Sequence, residues 1–209
     1  MRDGRVVAAL AVLLVLLAGG CTKLKRSAYD GFGRDGWQQP DRVIEALELE
    51  PGARVADLGA GGGYFTFRLA DAAGPQGTVY AVDVDPGMLE YLKERAQEEE
   101  RQNVVAVAAD YDDPRLPEEG VDLIFVCDTY HHIEDREAYF ARAGRYLRPG
   151  GRVAIIDFLP EGWLQKIFPH GTAPEEVQSE MAAAGFQLER EHDFLERQSF
   201  LVFTRSGDG

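Results

Sequence analysis

Five short apolar runs recur along the chain: Arg54 to Leu58, Thr78 to Val82, Val104 to Ala108, Val121 to Cys127 and Val153 to Ile156. Each is of strand length and too short for a buried helix. Between them, apolar positions return at helical spacing over Tyr64 to Ala72, Gly87 to Glu100 and Arg136 to Tyr146. Ahead of the first run, DRVIEALEL sets Val43, Ile44, Leu47 and Leu49 near helical spacing, and Pro40 suits a first helical turn. Beyond the fifth run, Pro174 to Ala184 reads as a helix ended by Gly185, and Gln187 to Glu191 and Phe200 to Phe203 as two closing strands. Apolar strands separated by helices need cover on both faces, so the pattern predicts an α/β fold with a mostly parallel, seven-stranded sheet.

The N-terminus departs from this pattern. Arg2 and Arg5 precede an unbroken apolar run from Val6 to Ala18, followed by Gly19, Gly20 and Cys21. The run falls short of the roughly 20 apolar residues of a spanning helix and ends in small residues suited to a peptidase, which predicts a signal peptide over residues 1–20. An uncleaved signal anchor is the other reading. The segment LLAGGC resembles the lipobox of bacterial lipoproteins, which implies a lipidated Cys21 and a chain held at a membrane of the cell envelope. Residues 21–36 read as a polar tether with three glycines, in which Lys23, Lys25 and Arg26 suit anionic headgroups. The folded domain is expected over residues 37–205, with a short tail at 206–209.

Composition narrows the function classes. The 209 residues are 45% hydrophobic, enough for one domain with a full core. Thirty-six acidic residues against 22 Lys and Arg give a net charge of -14, which excludes nucleic acid as a natural partner. Two cysteines, Cys21 and Cys127, supply neither a disulfide framework nor a zinc site of the CxxC type.

The chemistry begins in VADLGAGGGYF, where Asp57, Gly59, Gly61 and Gly63 alternate between the first strand and the next helix. Glycines there permit positive φ and close approach of a ligand, and a helix start offers free N–H groups. A dinucleotide fingerprint GxGxxG fails, because its last position falls on Tyr64 counting from Gly59 and on Thr66 counting from Gly61. The loop instead resembles motif I, DxGxGxG, of class I S-adenosylmethionine-dependent methyltransferases, and every position matches. That resemblance implies a Rossmann-like fold with S-adenosyl-L-methionine as cofactor. It implies that Asp57 and the three glycines line the cofactor site. It also implies that Asp83, at the end of VYAVD and about twenty residues on, accepts from the ribose hydroxyls, with Asp85 the lesser candidate. In AADYDD it points to Asp110 for the adenine amino group, with Tyr111 beside it. Asp128, at the end of the fourth strand, joins the cofactor set, and Trp37 with Gln38 would close over the cofactor.

The resemblance places the methyl acceptor at the ends of the fourth and fifth strands, here Asp128 to His132 and the loop beyond Asp157. The (Asp/Asn)-Pro-Pro-aromatic turn of enzymes that methylate exocyclic amines is replaced by Asp128, Thr129, Tyr130 and His131, and the thiolates of arsenite methylation are missing. A small-molecule acceptor through oxygen, carbon or sulfur remains. Oxygen and carbon acids must lose a proton, and His131, His132 and, from the loop GWLQKIFPHGTAP, His170 are the candidate bases. An exported chain and a cytosolic methyl donor pull in opposite directions, which leaves a second reading: a non-catalytic module that keeps the fold to bind a nucleoside-like ligand or a partner.

Overall fold

The computed structural model describes residues 33–160 and 171–207. The signal segment, Cys21, most of the tether and His170 lie outside the described residues. Among the described residues, no helix is long and apolar enough to cross a membrane.

Two helices, α1 (Asp35–Gln38) and α2 (Pro40–Ala46), lead into β1 (Arg54–Leu58). There follow α3 (Thr66–Ala73), β2 (Thr78–Asp83), α4 (Pro86–Glu98), β3 (Val104–Ala108) and β4 (Val121–Cys127). A 3-10 turn (Tyr130–His132), α5 (Arg136–Ala143), β5 (Leu147–Phe158), α6 (Pro174–Ala183), β6 (Phe186–His192) and β7 (Gln198–Arg205) complete the chain. The seven strands lie in the order β3-β2-β1-β4-β5-β7-β6. All neighbours are parallel except β7, which runs antiparallel to both β5 and β6.

Alternate residues of each central strand feed separate cores. Ala56, Ile124, Val126, Val153 and Ile155 pack with Tyr139 and Phe140 of α5 and Val177 and Met181 of α6. Val55, Leu123, Phe125, Ala154 and Ile156 face the other way, onto Val43 of α2 and Leu69 and Ala70 of α3. Burial on both faces is why these runs read as continuously apolar. Several boundaries differ from the sequence reading, two of them by more than the fraying of an element end. β5 begins at Leu147, because Pro149, Gly150 and Gly151 are accommodated as an irregularity between the pairs Val121–Leu147 and Leu123–Arg152. Folded structure also begins ahead of Trp37, since Arg34 and Asp35 belong to the packed domain and not to a free tether.

Strand order reverses between β1 and β4, with β2 and β3 to one side and β5 to the other. The crevice beyond the carboxyl ends of β1 and β4 is where such sheets bind ligands.

Candidate active site

The glycine loop leaves β1 at Leu58 and is folded back onto β2: Gly59 and Ala60 donate to Val82 O at 2.8 and 3.1 Å. Gly59, Gly61 and Gly63 have φ of +74°, +53° and +85°, a region that side chains rarely enter. Their tasks differ. A Cβ on Gly59 would stand 2.2 Å from Thr129 Oγ1, so this glycine lets the β1 and β4 ends close on each other. A Cβ on Gly63 would stand 2.5 Å from Phe67 and 2.9 Å from Leu92, so that glycine serves the packing of α3 against α4. Gly61 turns its N–H to the Asp83 carboxylate, 2.9 Å from Oδ2. Asp83 Oδ1 accepts from Asp85 N at 2.9 Å. Asp85 caps α4 by accepting from Gly87 N at 2.8 Å, which gives it a structural task of its own.

Asp57 sits beneath the loop at 4% exposure, its Oδ2 accepting from Thr66 Oγ1 at 2.6 Å. Burial, helped by the nearby Asp83 charge and opposed by Thr66 and Arg34, pushes its pKa up to about 7.

Across the crevice, Asp128 adopts φ +55° directly after β4. Its Oδ2 accepts from Arg34 at 2.7 Å and from Gln38 Nε2 at 3.2 Å, and its Oδ1 accepts from Gln198 Nε2. Gln38 is fully buried and also donates to Cys127 Sγ at 3.1 Å and to Gln198 Oε1 at 3.2 Å. Burial raises the Asp128 pKa, opposed by Arg34 and Gln38, and raises the Cys127 thiol well above the usual range. Arg34 also lies 4.4 Å from the ring centre of Tyr64, whose hydroxyl donates to Asp35.

Farther along, His131 Nδ1 lies 2.6 Å from Asp157 Oδ1 at the end of β5. The His131 ring stands 4.1 Å from that of His132, the more exposed of the two. Trp37 packs against Phe158 at 5.7 Å, with Arg197 on its ring, at the β5 side of the crevice. Asp110 is 46% exposed and paired with Arg115, and Tyr111 is 84% exposed.

Residues 49–198 match the family described as a methyltransferase domain. The chain belongs to this family. Aklanonic acid methyltransferase DauC of Streptomyces sp. (strain C5) is 29% identical over 197 residues, covering 88% of this chain and 86% of that protein. A 27-O-demethylrifamycin SV methyltransferase of Amycolatopsis mediterranei is 32% identical over 120 residues, 57% of this chain and 43% of that protein. A phosphoethanolamine N-methyltransferase of Arabidopsis thaliana is 30% identical over 142 residues; the match takes in 68% of this chain but only 28% of that longer relative. A solved S-adenosylmethionine-dependent methyltransferase from Aquifex aeolicus superimposes with a TM-score of 0.75 at 26% identity, covering 86% of this chain and 96% of that one. The chain is an S-adenosylmethionine-dependent methyltransferase with the Rossmann-like fold of that class.

The residues of this methyltransferase fit the chemistry of its cofactor. A ribose offers two hydroxyl donors and an adenine an amino donor, which suit the Asp83 and Asp110 carboxylates. The amino-acid end carries one positive and one negative group, and Asp128 and Arg34 set one charge of each sign beside the glycine loop. Asp57, the three glycines, Asp83 and Asp128 converge on one crevice. Trp37, His131 and His132 stand toward β5, and Tyr111 projects into solvent. Three participants escaped sequence reading: Arg34, Gln198 and the pairing of Asp157 with His131. Arg34 is one basic residue in a polar stretch, and Gln198 precedes an apolar run; only their distant partners distinguish them.

Proposed function

We propose that this methyltransferase moves the methyl group of S-adenosylmethionine to a small-molecule acceptor seated over the ends of β4 and β5, and that a lipid on Cys21 anchors it to a bacterial membrane. The observation that carries the donor side is the Asp83 carboxylate turned onto the glycine loop, one hydrogen bond from Gly61 N–H, at the reversal of strand order. Asp83 accepts from the ribose, Asp110 exchanges Arg115 for the adenine amino group, and Arg34 and Asp128 take the two charges of the amino-acid end. The cofactor supplies a methyl carbon made electrophilic by a sulfonium. The chain must then hold the acceptor in line with that carbon and exclude water. The His131–His132 turn offers a base for an acceptor that sheds a proton. The names of DauC and of the rifamycin enzyme, both of which methylate small molecules, support an acceptor of that size.

Calorimetry of the purified chain with S-adenosylmethionine and its demethylated product tests the donor site. Asp83→Ala should weaken both by about 1.5–3 kcal/mol, the scale of hydrogen bonds to a charged acceptor. Affinity equal to the parent's would remove Asp83 from the site.

A further inference from the structure

The sequence sets two histidines side by side; the structure separates them. His131 is pinned by Asp157, with its side chain 10% exposed against 0% for its partner, while His132 is exposed. Asp157 uses only one oxygen in this contact. Its Oδ2 is buried and receives no hydrogen bond, and Thr172 Oγ1 is a second buried polar atom without a partner. Thr172 follows Gly171, whose Cβ position falls 2.1 Å from Phe158 O, so it enters the structure beside the same end of β5. A buried carboxylate oxygen left without a donor destabilises the fold. Fold stability therefore does not account for Asp157. What the carboxylate does provide is a fixed imidazole: an acceptor at Nδ1 holds the proton there and leaves Nε2 as the ring's own proton acceptor.

We propose that Asp157 is a positioning residue. It fixes His131 as the Nδ1-protonated tautomer, so that Nε2 takes the proton of an acceptor that is a hydroxyl or a carbon acid. This rests on the methyl-transfer reading above and specifies its acceptor chemistry. In the step, the acceptor oxygen or carbon forms a bond to the methyl carbon, and the carbon–sulfur bond breaks with its electron pair to sulfur. The acceptor's proton passes to Nε2. Positive charge thus leaves the sulfonium and ends on an imidazolium that faces Asp157, before its loss to solvent. A sulfur acceptor already present as thiolate has no use for this pair.

Among the described residues, the other titratable groups at this corner are His132 on the same turn, Cys127 and Asp128 at the end of β4, and Arg34 bound to Asp128 from the start of α1. Asp157 is the carboxylate at hydrogen-bond distance from the His131 ring, 2.6 Å from Nδ1.

Nitrogen-15 NMR of the full chain, with His131 assigned through His131→Gln, reads the tautomer directly and needs no acceptor. We expect the neutral ring to carry its proton on Nδ1. In Asp157→Leu, which removes the carboxylate that accepts from Nδ1, the neutral His131 ring should shift toward the Nε2-protonated form. A proton on Nε2 in the parent, or an unchanged tautomer balance in Asp157→Leu, overturns the proposal. The tautomer is read in the parent, so the test stands even if the variant does not fold. Loss of donor binding by calorimetry would instead sink the methyl-transfer reading while leaving the His131–Asp157 pair intact, which keeps the two failures apart.

Discussion

Gly59 shows most directly how one residue without a side chain holds two strand ends together. Gly59→Ala forces a Cβ at φ +74° and into the Thr129 side chain. Left-handed strain costs about 1–2 kcal/mol and overpacking about 1–3 more. Denaturant unfolding should show both losses in the single variant, and part of the loss should return in a Thr129→Gly background, since that removes the clash and leaves the strain. Strict additivity of the two substitutions would mean that they do not touch. Asp57 gives a pH dependence with a definite sign. Its folded pKa of about 7 lies above its ordinary value of 3.8, so the native state holds a proton that the unfolded chain releases. This contribution to stability is complete below the unfolded pKa and is lost as pH rises through about 7. Asp57→Asn should therefore gain on the parent across that window, by at most about 4 kcal/mol at the upper end. If the parent and variant curves run parallel from acid to neutral pH, Asp57 ionises normally. Donor affinity in the parent should rise over the same window, and more for the sulfonium than for its uncharged thioether product.

Among the elements, α1 is the one least able to stand alone. Four residues make no stable helix in water, and its place depends on side chains. Gln38 donates to Cys127, Asp128 and Gln198, while Arg34, at its N-terminal cap, reaches Asp128. Gln38→Leu keeps most of the bulk but leaves the Gln198 carbonyl and one bond of Asp128 unmet. The expected cost is about 1–3 kcal/mol, accompanied by faster hydrogen exchange at residues 35–38. Unchanged exchange there would show that packing of Trp37 on Phe158 is what retains the helix. The central strands have the opposite character: they are held by burial on both faces, and no single polar contact fixes their order.

For the molecule as a whole, the charge of -14 and the N-terminal segment bear on where it works. An acidic body is repelled by anionic lipid, so the proposed membrane location would have to come from a lipid on Cys21, helped by Lys23, Lys25 and Arg26. Mass spectrometry of the N-terminus of the native protein should find residues 1–20 removed and Cys21 acylated; retention of residues 1–20 or a free Cys21 thiol would dismiss the anchor.

Local periodicity and local stereochemistry were enough to place nearly every strand and helix and the glycine loop, while Asp83 came from the resemblance to a known family. Alternation, apolar run length and a demand for positive φ are written in neighbouring residues. The same reading stopped short at β5, whose pairing absorbs Pro149 to Gly151, and at the start of the domain, where Arg34 looks like part of a linker. The tertiary structure alone decided that β7 inserts antiparallel between β5 and β6. It alone joined Arg34, 94 residues away, and Gln198, 70 residues away, to Asp128, and set Asp157 against His131 across 26 residues. No local period records such pairings, because each follows from strand ends brought together by burial elsewhere in the sheet.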